Sequence, residues 1–107
     1  MKTLNIDAKG KDKDPEWMQV TDAGVTITLS TPSEMNGVKV PKISLRSPTI
    51  REVRACQAAH PGDEAAVDAM LFASLAEIGE KDVIGLTVKD YNRVNRGYFR
   101  LVDEDEL

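Results

Sequence analysis

The stretch VTITLSTPSEMNGVKVPKISLRSPTIREVR, residues 25–54, predicts the fold of this chain. Its apolar side chains at Val25, Ile27 and Leu29 alternate with hydroxyl side chains, which is the period-two pattern of a half-buried strand. Asn36-Gly37 tolerates the positive φ angles that a type I′ turn requires. The first half of the stretch therefore predicts a β-hairpin.

The returning strand of this hairpin contains an irregularity at Pro41. The apolar residues Val38 and Val40 before Pro41 have even numbers, whereas Ile43 and Leu45 after it have odd numbers. In a regular strand the two pairs would point to opposite faces, so we expect a bulge at Pro41 that keeps them on one face. Residues 17–20 are a weaker strand candidate, followed by a turn that ends at Gly24. The sheet is expected to be a hairpin or a three-stranded meander.

The rest of the chain predicts about three helices, so the fold class is α+β. Thr49 and Glu52 have the spacing of a capping box, and Asp63 and Thr87 are further N-cap candidates. The expected helices run from Thr49 to about Ala59, from Glu64 to Ile78 with an end at Gly79, and from Thr87 through an amphipathic segment containing Tyr91, Val94, Tyr98 and Leu101.

Length and composition predict one small soluble domain. The chain has 107 residues, a net charge of −4 and a single cysteine, and residues 61–107 carry five basic and eleven acidic side chains. We expect a flexible arm over residues 1–16, one domain over 17–102 and an acidic tail over 103–107. The sequence shows no secretion signal and no bilayer-spanning segment, which favours a reducing cytoplasmic compartment.

Few residues are candidates for chemistry. Cys56 and His60 are four apart, as in a thiolate–imidazole pair, but a core cysteine and a helix-end histidine are the favoured interpretation. Structural zinc needs four ligands, and no second Cys or His is present to supply them. Acidic pairs such as Asp63-Glu64 occur where helices are capped. We therefore predict no catalytic site, no metal and no cofactor.

Helix three carries a basic stripe, defined as Lys89, Arg93, Arg96 and Arg100. This spacing aligns the four side chains on one face, which is compatible with phosphate binding by a small nucleic-acid-binding regulator. A solvated helix face is the favoured alternative, and the acidic balance of the chain argues against nucleic acid as its main partner.

Helix two is apolar on more than one side. Its main stripe includes Val67, Leu71 and Ile78, and a second group lies largely off that stripe. The second group consists of Ala65, Ala69, Phe72 and Ala76. Central burial within the domain and a partner-binding or self-association face are both compatible with this pattern.

The order of these parts resembles the tail assembly chaperones of Mu-like contractile-tailed phages and prophages. The residues that carry the resemblance span about 25 to 95 and are Leu29-Ser30-x-Pro32, Asn36-Gly37, Leu45-Arg46-x-Pro48-Thr49, Arg51, Arg54, Gly62-Asp63-Glu64 and Leu86-Thr87-x-x-Asp90-Tyr91.

The resemblance implies a nonenzymatic protein of the bacterial host cytoplasm that is absent from the mature virion. It implies binding to the tape measure protein, which is kept soluble until the tail tube polymerises. A frameshift-extended form of the chain and a homo-oligomer are further partners to consider. A generic phage morphogenesis adaptor is the main alternative.

Overall fold

The structure, a computed structural model, describes residues 14–103. Three strands come first and four helices follow, which confirms the α+β class. The strands are β1 (Met18–Thr21), β2 (Gly24–Met35) and β3 (Val38–Arg46), and the helices are α1 (Ile50–Ala59), α2 (Glu64–Ala76), α3 (Glu80–Ile84) and α4 (Val88–Val102). The expected arm falls mostly, and the expected acidic tail almost entirely, outside the described residues.

The sheet is an antiparallel meander in the order β1-β2-β3, so residues 18–21 do join it. Gly24 follows the β1–β2 turn at φ 150°, where a Cβ would collide with the carbonyl oxygen of Leu45. Asn36 and Gly37 have φ angles of 54° and 83°, which confirms the predicted turn between β2 and β3.

The predicted irregularity near Pro41 is present, but the extra residues are on the opposite strand. Thr28 pairs with Lys42 and Ser33 pairs with Val40, so Leu29 to Pro32 lie opposite Pro41 alone. We call residues 29–32 the β2 bulge. Proline has no N–H to donate to a ladder, so the interruption falls where a regular ladder would leave a bond unmade.

The helices cover one face of the sheet. α4 packs against β2, and α2 lies between β3 on one side and α1 and α3 on the others. Among the described residues the core contains fifteen buried apolar side chains, of which Ile27, Leu45 and Phe72 are almost fully enclosed. The opposite face of the sheet carries hydroxyl and charged side chains, such as the hydrogen-bonded pair Thr26 and Ser44.

Two helix predictions were wrong in detail. α2 ends at Ala76, and the left-handed residue after it is Glu77 at φ 59°, not Gly79. The Ile78 N–H donates to the Ala73 carbonyl at 3.0 Å, which closes the helix two residues earlier than expected. A fourth helix, α3, then begins after Gly79; its five residues are too few to show a period in the sequence.

Candidate interaction surface

Phe72 and Ala69, from the predicted partner-binding group of helix two, lie in the core. Phe72 is 1% exposed and Ala69 is 4% exposed, whereas Ala76 is half-buried and Ala65 is exposed. The Phe72 ring packs against the rings of Tyr91 and Tyr98, with centroids 5.8 and 5.4 Å away. Central burial therefore explains Phe72 and Ala69, and a partner role for the four residues stays a prediction.

The basic stripe contacts the beginning of the described chain. The guanidinium groups of Arg93 and Arg96 lie 5.1 and 5.3 Å from the ring of Trp17, and Arg100 Nε is 2.9 Å from Asp14 Oδ1. Arg93 also donates to the Thr28 carbonyl at 2.8 Å. Three of the four basic residues thus hold residues 14–17 and β2 against α4, while Lys89 is exposed.

Cys56 and His60 occupy the places that the favoured interpretation gave them. Cys56 is 4% exposed among core residues, and burial raises the pKa of its thiol. His60 is the C-cap of α1. Within residues 14–103, no three His, Cys, Asp or Glu side chains are grouped to hold a metal ion.

Two buried aspartates attach the β2–β3 hairpin to the helices. Asp90, 1% exposed, accepts backbone N–H groups from Ser30 at 2.7 Å and Thr31 at 3.4 Å, so it holds the β2 bulge. Asp82, 7% exposed, accepts the N–H groups of Asn36 and Gly79, each at 3.1 Å. We call Asp82 and Asp90 the buried tethers.

One of the buried tethers has a partial signal in the sequence. Asp90 stands three residues after the N-cap Thr87, whose hydroxyl accepts the Asp90 N–H, so local capping explains its position but not its contact with the β2 bulge. Burial raises the pKa of the Asp90 carboxyl, but the Ser30 and Thr31 donors outweigh it and leave that pKa below its ordinary value. Backbone donors from Asn36 and Gly79 likewise lower the pKa of Asp82.

The junction between β3 and α1 is held by the predicted capping box and one ion pair. The Thr49 hydroxyl accepts the Glu52 N–H at 3.2 Å, and Glu52 Oε1 accepts the Thr49 N–H at 3.0 Å. Arg46 donates both terminal nitrogens to the Glu52 carboxylate. This pairing with Arg46, followed by the Thr49 bond, lowers the pKa of Glu52 to about 2.

An apolar groove opens between the start of α1 and the end of α4. We call it the α1–α4 groove; its volume is about 430 Å³. The residues that line it are Ser47, Pro48, Thr49, Ile50, Val53, Tyr98, Leu101 and Val102. Ile50 is 70% exposed, and Val102 and its helical neighbour Phe99 are 43% and 52% exposed. Unlike Phe72 and Ala69 of the predicted helix-two group, this surface is accessible in the folded chain.

The sequence analysis did not predict this groove, although the sequence of α4 contains a signal for an apolar surface beside it. Phe99 is apolar but lies off the stripe of α4 that contains Tyr91, Val94 and Leu101. Apolar positions off the core stripe of an amphipathic helix are where a second contact surface is expected.

Comparison with known families identifies the chain. The family model described as "Phage tail assembly chaperone proteins, E, or 41 or 14" matches residues 26–103. The chain belongs to the phage tail assembly chaperone family. This match covers most of the sequence and confirms the resemblance drawn from the motifs. No curated protein and no solved structure matched the chain significantly.

The motif residues of this tail assembly chaperone have structural roles. Leu45 is 1% exposed in the core, Arg46 pairs with Glu52, Thr49 caps α1, and Asp90 binds the β2 bulge. Arg51 and Arg54 differ from these, because both are exposed and neither forms an ion pair within residues 14–103. No helix in that part of the chaperone is long and apolar enough to cross a membrane.

Proposed function

We propose that this tail assembly chaperone binds the tape measure protein and keeps it soluble until the tail tube polymerises around it. The single observation that carries the proposal is the family match over residues 26–103. The chaperone acts by binding and not by catalysis, in the cytoplasm of the bacterial host, and it is left out of the mature virion.

The surface of the chaperone is suited to this task. A holding chaperone needs accessible apolar side chains for its client and enough charge to keep the complex in solution. The α1–α4 groove supplies exposed apolar groups such as Ile50 at 70% and Val102 at 43%, while the chain has a net charge of −4. The buried Phe72 is not required as a contact in this proposal.

The proposal is tested by co-expressing the chaperone with the tape measure protein from the same tail gene cluster. An unrelated acidic protein of similar size serves as the control for charge alone. We expect the tape measure protein to move from the pellet to the soluble fraction and to co-purify with the chaperone. If it stays insoluble to the same extent in both samples, the proposal is wrong and the adaptor alternative takes its place.

Self-association and a frameshift-extended second product stay predictions for the same experiment. The mass of the purified chaperone, alone and with the tape measure protein, measures the first. Mass spectrometry of the products of the native gene measures the second. A role in nucleic-acid binding is not favoured, because Arg93, Arg96 and Arg100 already contact Thr28, Trp17 and Asp14 within the fold.

A further inference from the structure

The α1–α4 groove has the shape of a site for a helix. Its walls are side chains of α1 and α4 together with residues 47–49, which lead into α1, and none of its lining residues belongs to a strand. It therefore offers apolar contacts and no strand edge for an extended peptide to pair with. α1 contributes Ile50 and Val53 and α4 contributes Tyr98, Leu101 and Val102, which is about one helical turn of each. A short segment of a partner helix would therefore cover the groove.

The charges beside the groove favour an acidic partner. Arg54 lies one turn after Ile50 and so on the same face of α1 beside the groove, and Arg51 is exposed on the neighbouring face of the same turn. Neither forms an ion pair with another residue between 14 and 103, whereas Arg46 is paired with Glu52. In a chain with a net charge of −4, this basic border stands out and would attract opposite charge.

We propose that the α1–α4 groove binds one amphipathic helix of the tape measure protein. The apolar side chains of this partner helix, spaced three and four residues apart, pack against Ile50, Val53 and Val102. The acidic side chains of the same helix face Arg51 and Arg54. This assignment rests on the proposed function, and it replaces the helix-two group by a surface that is exposed in the folded chain.

The chain offers a closely matched pair of variants for the test. Ile50 and Val88 are each the first residue of a helix, each follows a threonine N-cap, and they are 70% and 77% exposed. Aspartate is well tolerated at such positions because it favours the positive end of the helix dipole. Ile50→Asp places a charge in the groove, and Val88→Asp places the same charge outside it.

The experiment co-expresses the full-length tape measure protein with wild type, Ile50→Asp, Val88→Asp, Arg54→Glu or Arg54→Lys. Readouts are the soluble fraction of the tape measure protein, the affinity of the purified complex and the mass of each chaperone alone; circular dichroism checks folding. We expect Ile50→Asp to weaken binding roughly tenfold or more. Arg54→Glu should weaken it several-fold, while Arg54→Lys and Val88→Asp stay close to wild type.

Other outcomes overturn the groove assignment in distinguishable ways. If all variants bind like wild type, the groove is not the site, although tape measure binding stands. If wild type itself does not bind, both proposals fail. If Ile50→Asp changes only the mass of the free chaperone, a second copy occupies the groove. Equal loss in Ile50→Asp and Val88→Asp also contradicts the assignment, because the contact would then not be confined to the groove.

Discussion

The two halves of α4 serve different purposes. In the first half, Asp90 binds the β2 bulge and Arg93 binds the Thr28 carbonyl, so these side chains are used by the fold. In the second half, Phe99 and Val102 are about half exposed beside the α1–α4 groove. One helix thus combines a half whose polar side chains attach it to the sheet with a half that also carries exposed apolar side chains available for a partner.

The largest effect is expected at the buried tether of the first half. Asp90→Ala leaves the N–H groups of Ser30 and Thr31 without their acceptor in a part-buried place, which should lower the free energy of unfolding by about 3 kcal/mol. Chemical denaturation measures this. Asp103→Ala, at the other end of α4, is the control and should change stability by less than about 0.5 kcal/mol. Equal effects would show that the tether contributes nothing.

A smaller effect is expected where α4 touches the sheet most closely. A Cβ on Gly97 would lie 2.6 Å from Ile27 Cδ1, so Gly97→Ala should cost about 1 kcal/mol even though alanine favours a helix. Ile27→Val removes the colliding methyl group. In a double-mutant cycle measured by denaturation, the double variant should therefore lose less free energy of unfolding than the sum of the losses in the two single variants. Strict additivity would contradict the close approach.

The buried tethers also predict sensitivity to acid. Folding lowers the pKa values of Asp82, Asp90 and Glu52, in the case of Glu52 to about 2. Their contribution to the free energy of unfolding is therefore fully present above the ordinary carboxyl pKa near 4, and it is lost as the pH falls through the lowered values. Burial raises the pKa of Asp68, so this residue has a weak effect in the opposite direction and stabilises the fold as the pH falls. Unfolding free energy measured between about pH 6 and 2 should decrease, and Asp90→Asn should make the slope shallower. An unchanged slope would mean that Asp90 titrates normally.

The smallest effect on stability is expected in the second half of α4. Phe99 is 52% exposed, so Phe99→Ser should change the free energy of unfolding by only about 0.5 kcal/mol. The same substitution should reduce binding to the tape measure protein, since Phe99 continues the apolar surface beside the groove. Parallel denaturation and co-purification measure the two effects. A large loss of stability would place Phe99 with the first half of the helix.

Local signals in the sequence predicted most of the elements. The alternation at Val25, Ile27 and Leu29, the Asn36-Gly37 turn and the N-caps at Thr49, Asp63 and Thr87 each depend on neighbours a few residues away, and all were confirmed. What depends on distant neighbours was missed. Asp90 meets Ser30 across sixty residues, and no periodicity records that contact.

The candidate site was harder to predict for the same reason. A helix that is apolar on several sides fits burial and partner binding equally well, and only the packing of Tyr91 and Tyr98 on Phe72 shows that it is buried. The basic stripe was also ambiguous, because its contacts with Trp17 and Asp14 join opposite ends of the chain. Exposure of the groove follows from tertiary packing and not from sequence spacing.

Hydrogen–deuterium exchange of the chaperone, free and bound to the tape measure protein, tests the account most directly. We predict slower exchange in α1 and in residues 98–102 of the complex, while the β2 bulge and the first half of α4 exchange as in the free chain. Protection that instead appears in α2, or that is confined to the β2–β3 hairpin, would contradict the division of α4 into a structural half and a binding half.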